Sequence, residues 1–117
     1  MTRIAGNHTL RVMSFKSIQQ EVDQWISQFE EGYFPPLPML ARLTEEVGEL
    51  ARVLMHQYGG KKPKPGEDPG DTGEEIADAI FVLVCLANSL GIDLDEKFGA
   101  MMEKYRVRDA ERWTRKA

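Results

Sequence analysis

Apolar residues recur at helical spacing in four separate stretches of this chain. In the first, Ile18, Val22, Trp25, Ile26 and Phe29 form one stripe. Ser17-x-x-Gln20 reads as a capping box that opens this helix, and Gly32 is placed to end it. Tyr33-Phe34-Pro35-Pro36 is then a short connector, since consecutive prolines forbid helix continuation. Pro38 suits the first turn of a second helix, along which Leu40, Leu43, Val47, Leu50 and Leu54 recur until Gly59-Gly60 stops the pattern. From Lys61 to Thr72 the chain has no periodicity and is rich in Lys, Pro, Gly and Asp, which predicts a mobile loop.

Thr72-x-x-Glu75 resembles a second capping box and predicts a third helix running to Leu90, with Gly91 just beyond it. Its middle, Ala79 to Ala87, is apolar all the way round. Such a helix is buried on every side. Three other helices, each with one apolar stripe, cannot supply that cover, so a partner chain is expected. Asp93 or Asp95 caps a fourth helix with Leu94, Phe98, Met101, Met102 and Tyr105 on its inner face. The fold class expected is all-α, a four-helix bundle completed by dimerisation or tetramerisation. Residues 1–13 show no periodicity and read as a flexible arm, with Met13 an alternative start; 14–113 form the helical domain and 114–117 a tail.

Composition narrows the function. A chain of 117 residues makes one domain, and 42% hydrophobic with 29% charged residues is ordinary for a soluble protein. The net charge of −4 argues against a general binder of nucleic-acid polymers. The single cysteine, Cys85, cannot pair within the chain, and no Cys/His cluster suggests zinc. The first residues lack the apolar run of a signal peptide, and Ala79–Ala87 is too short to span a bilayer. A cytoplasmic protein that does not engage membranes is expected.

The chemistry is concentrated in acids. Glu46/Glu49 and Glu75/Asp78 are each spaced i, i+3, so each pair shares a helix face, while Glu45 points nearly opposite the apolar stripe. Two such faces brought together converge four carboxylates, which then need a cation among them or raised pKa values. Oxygen-only ligands suit a hard ion: Mg²⁺, with Mn²⁺ the alternative. The ordinary reading is that surface helices are rich in Glu, and a capping box alone accounts for Glu75. Asp78 weighs against it, standing at the edge of the most apolar segment. A di-iron bundle would need Glu-x-x-His pairs, and His8 and His56 do not supply them. An EF-hand is excluded by the order of residues 68–75. His56 is explained by its place near a helix end, and Cys85 by packing. Trp25 is either core or a base-stacking platform. Lys61, Lys62 and Lys64, on the loop between the acidic motifs, are placed to reach a phosphate or simply to face solvent. The C-terminal basic residues Arg106 and Arg108 share that ambiguity.

At these residues the chain resembles a known family. Glu45-Glu46-Val47-Gly48-Glu49 followed by Glu75-Ile76-Ala77-Asp78 and an apolar helix is similar to the EExxE…ExxD signature of the MazG-like nucleotide pyrophosphohydrolases, in particular the small YpjD-type members. The resemblance spans roughly Ser14 to Trp113, and includes Phe29-Glu30-Glu31-Gly32-Tyr33-Phe34 and Cys85-Leu86-Ala87-Asn88-Ser89-Leu90. It implies an all-α dimer or tetramer that hydrolyses nucleoside triphosphates to monophosphate and pyrophosphate with Mg²⁺. It also implies Glu46, Glu49, Glu75 and Asp78 as metal ligands, and Glu45 as a second-metal or water-orienting residue. One departure is visible: similar proteins often carry Asn two residues before the position of Arg108, where this chain has Arg106. The readings that compete are a non-catalytic helical oligomer binding a nucleotide or a protein, and a phosphoribosyl-ATP pyrophosphohydrolase.

Overall fold

A computed structural model describes residues 14–117, so the arm expected over 1–13 lies outside the described residues. Four helices follow in order: α1 Phe15–Ser27, α2 Pro36–Gln57, α3 Thr72–Ser89 and α4 Leu94–Arg108. No strand occurs among the described residues, as an all-α fold requires.

The helix boundaries correct several sequence expectations by a few residues. The cap of α1 is Ser14, not Ser17: the Ser17 amide donates to Ser14 Oγ at 3.1 Å, and the Ser14 amide donates to Ser17 Oγ at 2.9 Å. A serine at the third helical position thus returns the bond that Gln20 was expected to supply one turn later. The helix ends at Ser27, and Gly32, at φ +61°, turns the connector instead of ending the helix. Helix α2 takes Pro38 into its first turn as expected, but it begins at Pro36, a residue assigned from the sequence to the connector. The amide that Pro36 lacks would have had no intrahelical partner there. Asp71, not Thr72, caps α3 by accepting the Glu74 amide at 3.0 Å. Asp93 caps α4 through the Glu96 amide at 3.2 Å.

The principal seam is α2 against α3, with α1 laid on α3 and α4 on α1. The buried core consists of Met39 and Val53 from α2 with Val82, Val84, Cys85 and Ala87 from α3. Met39, Leu43, Glu46, Leu50 and Val53 form one row along α2, spaced alternately by four and three. The rest of the expected stripe, Leu40, Val47 and Leu54, lies on a second row that stays exposed. The α2 stripe is therefore wide enough for two neighbours, and α3 covers only one of its rows.

The expectation that α3 is buried on every side does not hold within one chain. Ile76, Ile80 and Leu83 are 45%, 46% and 46% exposed. Helix α4 also has a lightly covered inner face: Phe98 stacks on Phe15 at 5.1 Å between centroids, yet no residue of α4 is fully buried. Polar bonds also fasten the ends. Gln19 donates to Asn88 Oδ1 (2.9 Å) and the Ile92 carbonyl (2.8 Å), and accepts from the Leu94 amide (3.0 Å). Asn88 donates in turn to the Gln19 carbonyl and the Tyr33 hydroxyl, each at 2.9 Å. Tyr33 donates to Asp23 at 2.7 Å, and burial together with that carboxylate pushes its phenol up to about 12. Asp95 accepts the amides of Phe15 and Lys16 at 3.0 and 3.1 Å, so α4 supplies side-chain caps to α1. No single described helix is long and apolar enough to cross a membrane.

Candidate metal centre

The two acidic motifs meet where the α2–α3 seam opens. On α3, Glu75 and Asp78 continue toward the N-terminus the row that carries Val82 and Cys85, while Glu46 interrupts the inward row of α2. Each of Glu46, Glu75 and Asp78 presents a carboxylate oxygen, and the three oxygens lie within 4.8 Å of one another. Glu46 and Glu75 are half-buried and Asp78 is exposed. Burial raises the pKa of Glu75 above the ordinary carboxylate value, and the charges of Asp78, Glu49 and Glu46 raise it further; Arg52 opposes them. The capping explanation of Glu75 falls away, because Asp71 caps the helix and the Thr72 hydroxyl donates to Gln57 at 2.6 Å.

The remaining sequence-predicted residues are distributed around this cluster. Glu49 sits beside it with its Oε2 on Arg52 Nε at 3.2 Å. Glu45 is exposed. Arg106 pairs with Glu103 at 2.9 Å, and Arg108 makes two bonds of 3.0 Å to Asp109, so both are engaged by acids of their own segment. That pairing lowers the pKa of Asp109 and raises that of Arg108. Trp25 is 55% exposed, edge-on to Phe29 at 5.1 Å, beside a shallow groove that Phe81 also lines.

The lysine loop, expected to be mobile, is tethered to α2 at several points. His56 Nδ1 lies 2.9 Å from the Lys61 carbonyl, Gln57 donates to the Gly70 carbonyl at 3.1 Å, and Arg52 reaches the Asp68 carbonyl at 3.5 Å. Glu67 accepts the Lys64 amide at 3.0 Å, which, followed by the charges of His56 and Arg52, lowers its pKa. Gly70, at φ +85°, presses against α2: a Cβ there would come within 2.6 Å of Val53 Cγ2. The segment thus lies on α2 although its sequence has the composition of a free loop.

Two cations beside the acids were not anticipated. Arg42 lies 3.8 Å from Glu46 and Arg52 3.2 Å from Glu49, at i, i+4 and i, i+3 spacings that the sequence displays. Arg42 also lines an apolar cavity of about 280 Å³ with Phe29, Tyr33, Phe34, Met39 and Phe81. Phe81 follows Asp78 by one helical turn, so this cavity adjoins the acids.

Three carboxylate oxygens from two helices could hold a metal ion, and an oxygen-only donor set suits a hard cation. Residues 34–113 match the family model described as the MazG nucleotide pyrophosphohydrolase domain. The chain belongs to the MazG family. As a MazG protein it is a hydrolase of the nucleotide pyrophosphohydrolase class. It is 58% identical to YpjD of Bacillus subtilis (strain 168) over 103 residues, covering 88% of this chain and 93% of that protein. YvdC of the same organism is 30% identical over 94 residues, 72% of this chain and 89% of the relative. Among solved structures, Bacillus subtilis YpjD, named there as a candidate pyrophosphatase, superposes with a TM-score of 0.74 at 54% identity, covering 84% of this chain and all of that one. A Bacillus-conserved MazG protein, named as a nucleotide pyrophosphohydrolase, superposes at 0.71 with 45% identity, covering 85% and 96%.

Proposed function

We propose that this MazG protein hydrolyses nucleoside triphosphates, ribo- or deoxyribo-, to monophosphate and pyrophosphate in a Mg²⁺-dependent reaction, clearing nucleotides from the cytoplasmic pool. The observation that carries this reading is the convergence of Glu46, Glu75 and Asp78 within 4.8 Å. With Glu49 beside them, these residues would hold Mg²⁺, or Mn²⁺ in its place. The ion would offset the charge of the triphosphate and of the departing pyrophosphate, which a bare acidic site repels.

The protein's own groups supply the rest. Glu45, outside the three-acid cluster, orients the water and takes its proton as the water oxygen bonds to the α-phosphorus. The bond from that phosphorus to the bridging oxygen breaks, and the electron pair leaves with pyrophosphate. Lys61, Lys62 and Lys64 hold the distal phosphates. The adjoining cavity, with the rings of Phe29, Phe34 and Phe81, offers flat apolar walls to a nucleobase.

Assembly belongs to the same reading. The exposed rows Leu40/Val47/Leu54 on α2 and Ile76/Ile80/Leu83 on α3 support a homodimer or homotetramer in which a second copy covers them.

The test is release of pyrophosphate from a mixed nucleotide pool by purified protein, with and without Mg²⁺. The expected result is Mg²⁺-dependent release that Asp78→Asn lowers by more than the roughly hundredfold typical of losing an outer-sphere partner. Full activity of Asp78→Asn at ordinary Mg²⁺, with native helicity by circular dichroism, would remove the site as described.

A further inference from the structure

We propose that Arg52 is a positioning residue for the metal centre: it holds Glu49 by one carboxylate oxygen, leaves the other for the ion, and fastens the lysine-bearing segment to the same point. This inference rests on the reading of Glu49 as a metal ligand.

The geometry is that of a fork used on both sides. Arg52 Nε donates to Glu49 Oε2 at 3.2 Å, which leaves Oε1 outside that bond. Nη1 donates to the Asp68 carbonyl at 3.5 Å and lies 3.9 Å from Glu67 Oε2. Nη2 lies against Gly70, 3.5 Å from the place that a Cβ would take. Two guanidinium nitrogens are therefore engaged, Nε with the acidic site and Nη1 with the segment that follows α2. Glu67 is itself fixed by the Lys64 amide at 3.0 Å, and His56 Nε2 stands 3.7 Å away. A continuous chain of contacts runs from Glu49 through Arg52 and Glu67 to Lys64.

Two roles for such an arginine have opposite signs. A countercharge only neutralises Glu49 and repels an incoming cation, so its removal tightens metal binding. A positioning residue fixes the carboxylate rotamer in which the free oxygen faces the other acids, so its removal weakens metal binding. Lysine separates the two, since it keeps the charge and loses the planar fork. The second attachment has its own signature, because the segment should loosen whenever the fork is lost, even without metal.

The experiment measures Mn²⁺ affinity by titration calorimetry for wild type, Arg52→Lys and Arg52→Gln, with amide hydrogen exchange across residues 61–70 of the metal-free proteins. Arg52 is one-third exposed at the surface of α2, and circular dichroism verifies that each variant is folded. Both variants are expected to lose about 10–100-fold in Mn²⁺ affinity and to exchange faster over 61–70. Wild-type affinity in Arg52→Lys, or tighter binding in Arg52→Gln, overturns the positioning role. Unchanged exchange in both variants overturns the tie to the segment. If wild type itself takes up no Mn²⁺, the metal-centre reading fails and this inference with it; if wild type binds and the variants bind equally well, only this inference fails.

Discussion

A carboxyl that is partly buried and then crowded by other carboxyls keeps its proton to higher pH, and Glu75 is that residue here. Its folded-state pKa is raised above the unfolded one, so the native state binds the proton more tightly. Its contribution to stability is then present at low pH and is lost as pH rises from the ordinary carboxylate value through the raised one. Metal-free protein should therefore melt at a lower temperature at neutral pH than at mildly acidic pH. Glu75→Gln should flatten that slope and raise the neutral-pH melting temperature, as differential scanning fluorimetry in EDTA would read. An identical slope in wild type and variant would show that Glu75 is not the strained member. At this scale much of the cluster was legible: the i, i+3 spacing of the acids is a local property and helix geometry turns it into a shared face. Which of the four acids crowd together was not, because that depends on how α2 and α3 are rotated against each other. The roles of Arg42 and Arg52 could have been found from the same spacing rule applied to Glu46 and Glu49.

Among the elements, helices α2 to α4 were legible to within a few residues, since stripes, prolines and glycines act locally. The caps were less so. Ser14 and Asp71 each stand beside a second plausible capping residue, and only the backbone path decides between them. The segment between α2 and α3 illustrates the limit more sharply. Its Lys, Pro and Gly content reads as free, yet Arg52, His56 and Gln57 anchor it through backbone carbonyls that no sequence pattern displays. Two consequences can be measured together. Neutralising Lys61, Lys62 and Lys64 should raise KM by on the order of tenfold with little change in kcat, as expected when exposed charges hold phosphates. Gln57→Ala should accelerate tryptic cleavage after Lys61 in the otherwise wild-type chain, the bonds after Lys62 and Lys64 being protected by Pro63 and Pro65. Unchanged kinetics in the triple variant would leave the segment as a connector only.

For the whole molecule, the all-apolar run of α3 pointed toward a partner chain, and the fold sorts its residues into two kinds. Val84 is enclosed within one chain, at 1% exposure, whereas Ile80 and Leu83 face outward. Each outward side chain gains roughly 1.5–3 kcal/mol if a second copy covers it. Leu83→Lys should therefore dissociate an oligomer while leaving a folded chain, and Val84→Lys should unfold it, because a lysine in the core has no partner. Light scattering paired with circular dichroism separates the two outcomes. A wild-type protein that is monomeric at micromolar concentration would refute the assembly. The bonds from Asp95 to the amides of Phe15 and Lys16 bear on a different matter, the order of events at the ribosome. Synthesis delivers α1 first, but the carboxylate that finishes its leading turn emerges some 80 residues later. Until then the first helix can shelter against α3 with only its Ser14–Ser17 capping box, and the amides of Phe15 and Lys16 wait for their carboxylate. Chains halted before Asp95 would start on the Ser14–Ser17 bonds alone, and the fourth helix would act as the clasp of the first.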